Sequence, residues 1–267
     1  MNDAAQERLT LEHNLRQALM NDEFCLHFQP ILDVKTGRVH SVEALIRWQH
    51  PEQGMIPPGK FIPIAEETGL IQPIGEWVFW AACRQLSDFY VAGIRDVKMG
   101  INISAMQMRN DNLPVLAKGA IDALGLDAKD LIFEITESVA MNQPDDTVRI
   151  LDCLHDMGIA LAIDDFGTGY SSLSYLKMFP IDHLKLDRAF VSEIGEGPDS
   201  ATICDATISL GHSLGLRLVA EGVETEEQFE YLRGKGCDLV QGFLFSRPVP
   251  AEQVMAFIQQ RHQQECE

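Results

Sequence analysis

FCLHFQPILDVKTGRVHSVEALIRW, residues 24–48, reads as two strands, Phe24 to Asp33 and Val39 to Trp48, joined by the turn Lys35-Thr36-Gly37-Arg38. So short a connection permits only an antiparallel pair. Ahead of it, Glu7 to Met20 places Leu11, Leu15 and Ala18 or Leu19 on one helical face, and Asn21-Asp22 reads as the stop. This predicts an N-terminal helix. After Trp48 the rhythm changes, and helix-like segments alternate with short apolar runs at Val97–Ser104, Leu131–Thr136, Ile159–Phe166, His183–Asp187, Arg217–Val223 and Asp238–Phe243. Helices are expected between them, including Thr147–Met157, Ala201–Leu214 and Glu226–Lys235, with Ala251–Gln263 closing the chain.

That alternation is the signature of βα units on a parallel sheet. Counting the hairpin, there are eight strands, so the expected fold is α/β. It is a modified TIM (β/α)8 barrel whose first strand runs antiparallel to the other seven. An open doubly wound sheet shares the same coarse pattern. No low-complexity linker or short-period repeat calls for a second domain. The expected division is a linker helix over 1–21 and one barrel domain over 22–267.

A formal net charge of -19 disfavours unspecific binding to nucleic-acid polymers and to anionic membrane surfaces, so an anionic substrate would need local cations. The six cysteines are scattered, with no CxxC pair or metal-ligand spacing, as expected for reduced cytosolic thiols. The first residues lack a basic segment followed by an apolar core, and no apolar run is long enough to cross a bilayer. The expectation is a cytoplasmic chain without direct membrane contact.

Strands buried on both faces should be apolar throughout, so charged residues inside them need a compensating reason. Such residues stand in nearly every strand: Glu43 and Arg47, Asn102, Glu134, Asp164-Asp165, Lys185 and Asp187, Glu221, and Gln241. In a barrel, the C-terminal ends of the strands converge on one mouth. Period two puts Ala160, Ala162 and Asp164 on one face, and Glu43 and Arg47 likewise. One strand-end acid alone is more often a helix cap or a surface ion-pair partner, but the coincidence across seven strands favours a gathered site.

Clustered carboxylates must bind protons or cations. Glu43, Asn102, Glu134, Asp164, Asp165 and Glu221 offer only oxygen donors, the preference of Mg²⁺, Mn²⁺ or Ca²⁺ rather than zinc. Two ions in such a site suit phosphodiester hydrolysis. Arg47 could contact a phosphate bidentately and Lys185 could hold the attacking water, although each taken alone also reads as a neutraliser of nearby acids.

The motifs resemble the EAL-domain family. They are EAL at Glu43–Leu45 within EALIRWQHPEQGMIPPGKFIPIAEETGLI, NIS at Asn102–Ser104, EITES at Glu134–Ser138, DDFGTGYSSL at Asp164–Leu173, KLD at Lys185–Asp187, AEGVE at Ala220–Glu224 and QGF at Gln241–Phe243. The resemblance covers nearly the whole chain from Phe28 to Pro248, with no departure at a catalytic position. It implies a phosphodiesterase that opens cyclic di-GMP to linear pGpG, using Mg²⁺ or Mn²⁺, two ions in all, and inhibited by Ca²⁺.

By motif, Glu43, Asn102, Glu134 and Asp164 resemble ligands of one metal, while Asp165 and Asp187 go with the second. Glu221 resembles the general base or a metal-site carboxylate, and Lys185 the residue on the nucleophilic water. Gln29, Leu45, Arg47 and Gln241 resemble substrate-binding positions, and Glu137 the residue that steadies loop 166–172. The resemblance further implies a homodimer through that loop and the helix after it, and GGDEF or sensory domains upstream in a longer parent. A first helix that only caps the bottom of the barrel is the competing reading of the N-terminus. The competing functions are a catalytically silent cyclic di-GMP receptor and, ranked last, a general phosphodiesterase or nuclease.

Overall fold

The hairpin forms as β1 (Phe24–Asp33) and β2 (Val39–His50), in register from Phe24↔Trp48 to Ile31↔Ser41, with a one-residue shift before Leu32↔Val39. Its turn is built by Asp33, whose Oδ1 accepts from the backbone N–H of Lys35 and Thr36 and from the Thr36 hydroxyl. An aspartate that satisfies the turn's own donors makes the tight connection local and self-contained. The computed structural model describes residues 2–109, 112–142, 144–167, 173–195 and 201–263.

The other strands are β3 (Gly54–Ile56), β4 (Lys98–Asn102), β5 (Leu131–Thr136), β6 (Ala160–Phe166), β7 (His183–Leu186), β8 (Arg217–Ala220) and β9 (Leu239–Val240). They are ordered β1-β9-β8-β7-β6-β5-β4-β2-β3, and β1 also pairs with β2, which closes eight of them into a barrel. β1 is antiparallel to both of its neighbours, and the remaining barrel strands are mutually parallel. Closure excludes the open doubly wound alternative.

Inward positions are small or branched along the middle of the barrel. Ile31, Val219 and Leu239 form one packed group, and Ile132, Ala160 and Ala162 another. The interior is therefore a filled core and not a pore. At the end opposite the mouth, the rings of His40 and His183 lie 5.8 Å apart between centroids, and Arg217 donates to Asp33 at 3.1 Å. Burial pushes the His183 imidazole down to about 3, so this floor ring is uncharged at neutral pH.

Two features depart from the sequence reading. β2 runs two residues past the predicted Trp48, and its overhang recruits β3, which no periodicity announced. His50 closes the turn between them, its Nδ1 accepting from the N–H groups of Glu52 and Gln53. The N-terminal helix spans Asn2–Ala18 and buries Leu15 and Ala18. It does not cap the bottom of the barrel. Asn14 bonds His50 at 3.0 Å and Arg8 pairs with Glu67, so the helix packs on the mouth-side overhang of β2 and on helix Pro58–Thr68. The apolar face of the helix joins the main core there through Leu15 and Ala18. Among the described residues, no helix is long and apolar enough to cross a membrane.

Candidate active site

Three strands on one side of the barrel deliver the first acids. β2 carries Glu43 inward, opposite Gly100 of β4, and β4 ends at Asn102, opposite Glu134 of β5. The chain then turns at once into helix Ala105–Met108, where Ser104 and Gln107 cap each other reciprocally. That box anchors the strand end that projects Asn102.

β6 supplies both aspartates by breaking its own alternation. Ile163 pairs with Leu184 and Phe166 with Leu186, so two residues of β6 stand against Lys185 alone. Asp165 sits in the bulge with φ 55°, a left-handed conformation costly for any residue but glycine. Strict alternation would turn Asp165 away from Asp164. The bulge instead leaves the oxygens of Asp164, Asp165 and Glu221 mutually within 4.8 Å, and Asp164 also belongs to a second such group with Glu43 and Glu134. Two adjacent acidic positions thus share one aspartate.

Lys185 rises between them from β7, its side chain 2% exposed. Its ammonium donates to Glu134, lies 2.7 Å from Glu221, 3.3 Å from Asp164 and 3.7 Å from Glu43. Burial opposes the charge, yet the carboxylates of Asp164, Glu134, Glu221 and Glu43 outweigh it and hold the lysine well above its ordinary range. One ammonium does not balance the set. Desolvation, joined by the charges of Glu43 and Asp164, pushes Glu134 up to about 8. Desolvation and Asp164 lift Glu221 well above the usual carboxylate range, and desolvation with Asp164 and Asp187 brings Asp165 to about 6.

Glu43 behaves differently. Burial would raise its pKa, but Lys185, Gln241 and Asn102 together bring it below the ordinary value. Asn102 Nδ2 and Gln241 Nε2 each donate to it at 2.7 Å. Gln241 Nε2 also lies 3.1 Å from Gln29 Oε1, and Gln29 Nε2 donates to the carbonyl of Ser246. Both glutamines are under 9% exposed and act as a brace behind Glu43. The donor set is oxygen-only and short of positive charge, which fits divalent cations.

The remaining predicted residues are at the periphery. Asp187 lies beyond β7 and caps helix Arg188–Ser192, accepting from Ala189 N–H at 2.7 Å, while its carboxyl also contacts that of Asp165. Arg47 is half-buried on the mouth wall, opposite Cys25, with Nη1 bonded to the carbonyl of Ile46. Leu45 lines a 290 Å³ cavity bordered by Asn102 and Glu134. Glu137 is buried and accepts from Gly167 N–H at 3.0 Å, at the start of the loop after β6. Residues 168–172 of that loop, and the dimer contact expected there, lie outside the described residues.

Gly100 was missed by the sequence reading. A Cβ there would overlap Glu134 Oε1. The available signal was a glycine in a strand interior, which often marks a close approach. Gly100→Ala should keep thermal stability within about 1 kcal/mol, because the extended backbone accepts alanine, yet displace Glu134 and lower turnover about 100-fold. Melting curves and initial rates on the same sample check this.

The family profile described as EAL domain matches residues 12–248. The bifunctional diguanylate cyclase/cyclic di-GMP phosphodiesterase MucR of Pseudomonas aeruginosa is 48% identical over 258 residues, which is 97% of this chain and 38% of that protein. The cyclic di-GMP phosphodiesterase NbdA of the same organism is 42% identical over 254 residues, 95% of this chain and 32% of its own length. This chain thus spans about a third of each relative. A solved structure described as the PaMucR phosphodiesterase in complex with c-di-GMP superposes with a TM-score of 0.89 at 47% identity, covering 92% of this chain and 99% of that one.

Proposed function

The chain belongs to the EAL-domain family, and from that membership we propose that it is a divalent-metal-dependent phosphodiesterase opening cyclic di-GMP to linear pGpG. The observation that carries the reading is the pair of acidic groups sharing Asp164 around the buried ammonium of Lys185. The names of MucR and NbdA supply the substrate.

Glu43, Asn102, Glu134 and Asp164 would hold one ion, and Asp165 and Asp187 a second, Mg²⁺ or Mn²⁺ by donor chemistry, with Ca²⁺ as an inhibitory occupant. When bound, such ions offset phosphate charge and act as Lewis acids on the phosphodiester. The chain's own groups do the rest. Lys185 holds Glu221 by a 2.7 Å contact, which orients its carboxylate to take a proton from an attacking water. Arg47 offers a forked donor for a phosphate at the rim. Gln29 and Gln241 keep Glu43 oriented from behind, and Leu45, two residues on along the same face of β2, would meet the substrate between Glu43 and Arg47. Glu137 tethers the loop after Asp165, through which, with the following helix, two copies would pair. Upstream GGDEF or sensory domains and a cytoplasmic location complete the reading.

Incubation with cyclic di-GMP and Mg²⁺ or Mn²⁺ should yield pGpG, and EDTA should abolish it. Tight binding of intact ligand with no product in either metal would replace the enzyme by a receptor.

A further inference from the structure

Three cross-strand pairs climb the hairpin wall from the acid cluster to the rim: Gln29↔Glu43, His27↔Leu45 and Cys25↔Arg47. Side chains two residues apart on a strand share a face, so His27 stands on the face of Gln29, whose amide meets Gln241 beside Glu43. His27 is therefore one step above the carboxylates and one step below Arg47. It is part-buried, and the catalytic groups described above make no use of it.

The orientation of the ring is locked. Its Nδ1 lies 3.3 Å from the carbonyl oxygen of Pro248. A carbonyl only accepts, so the hydrogen sits on Nδ1, and the neutral ring keeps a lone pair on Nε2. The Pro248 segment is itself fixed, because Phe28 and Val249 exchange both backbone hydrogen bonds, at 2.7 and 3.0 Å, and Gln29 holds Ser246. Among the described residues no partner is recorded for Nε2. The wall thus offers a pre-oriented acceptor; of the others nearby, the carboxylates are engaged with Lys185 and Gln29 Oε1 with Gln241, while Gln241 Oε1 is buried without a partner among the described residues.

We propose that Nε2 of His27 is a specificity contact that accepts a hydrogen bond from the Watson–Crick edge of a guanine of the substrate. Guanine places N1–H and N2–H side by side as donors, whereas adenine keeps its one donor, N6–H₂, at the other end of that edge and has an acceptor at N1, so an acceptor set against the N1 and C2 side meets a lone pair in place of a donor. The inference rests on the cyclic di-GMP reading. It adds the residue that selects guanine.

The test compares wild type, His27→Phe and His27→Gln for equilibrium binding of cyclic di-GMP and cyclic di-AMP, and for KM and kcat on cyclic di-GMP. His27→Phe should weaken cyclic di-GMP binding and raise KM about tenfold, lower kcat less than twofold and leave cyclic di-AMP binding unchanged. His27→Gln, which retains an acceptor oxygen, should recover most of the loss. Unchanged cyclic di-GMP binding in His27→Phe, equal losses for both ligands, or a fall in kcat at constant KM would each overturn the assignment, the last by showing that the ring only braces the Pro248 segment. A wild type that binds cyclic di-GMP without cleaving it loses the phosphodiesterase reading, yet the binding comparison still decides the role of His27.

Discussion

Lys185→Met should lower the melting temperature by about 10 °C in metal-free buffer and abolish measurable turnover. The replacement keeps the length of the stem and removes only the ammonium. That ammonium touches Glu134, Glu221, Asp164 and Glu43 from a position 2% exposed to solvent. Removing one partner from a buried ionic cluster costs about 3–5 kcal/mol, and each kcal/mol is worth roughly 2–4 °C in a chain of this size. The loss should depend on pH in a defined direction. Glu134, already lifted to about 8 with the lysine present, rises further without it. A carboxyl with a raised folded pKa stabilises the fold below its unfolded value near 4.3 and loses that contribution as pH climbs through the folded value. The gap between variant and wild type should therefore be small at pH 5 and widest above pH 8. Added Mn²⁺ should narrow it by supplying the missing charge. Thermal melts at three pH values, with and without metal, measure all of this. An undiminished melting temperature at pH 8 without metal would show that the acids do not depend on Lys185 for compensation.

Glu43→Gln should reduce turnover on the order of 1000-fold while changing stability by less than about 1 kcal/mol. The carboxylate accepts from Asn102 and Gln241 and pairs with Lys185 at 3.7 Å, so a new side-chain NH₂ would face donors. Relief is at hand in the orphaned Oε1 of Gln241, which is buried without a partner among the described residues. A flip of that amide presents its oxygen to the new NH₂ group and limits the structural cost. Removing one negative charge also eases repulsion with Glu134 and Asp164. What cannot be recovered is the anionic ligand, so metal affinity and rate should fall together. Rates, Mn²⁺ titrations and melts on Glu43→Gln and on the exposed control Glu226→Ala separate chemistry from folding, and the control should retain turnover within twofold. A proportional loss of stability in Glu43→Gln would assign the residue to the fold.

Much of this architecture was legible because it is written in local periodicities. The first strand, Phe24–Asp33, the bounds of Leu131–Thr136 and the last helix, Ala251–Gln263, agree with the structure residue for residue. Acids within otherwise apolar strands announced the site, since burying them without convergence would be prohibitively costly. Less legible were elements whose existence depends on a neighbour. β9 shrinks from the expected Asp238–Phe243 to Leu239–Val240 because Gly242 approaches the Val223 backbone so closely that a Cβ would collide with it, which turns the chain out of the sheet. β3 exists only because β2 overhangs its parallel partner.

The amino-acid order alone therefore determined the strand and helix rhythm, the antiparallel opening and the oxygen-only donor set, since each follows from spacing within a few residues. The order left open whether the sheet closes, and β1 resolves that by pairing with β2 on one edge and β9 on the other, about two hundred residues away. It gave Asp164 and Asp165 as neighbours but not the bulge that turns both toward Glu221. It could not show that Gln241 supports Glu43 across 198 positions, or that one lysine stands among four carboxylates. Those relations are set by the convergence of strand ends in a closed barrel, where residues remote in sequence share one desolvated space and settle their charges against each other.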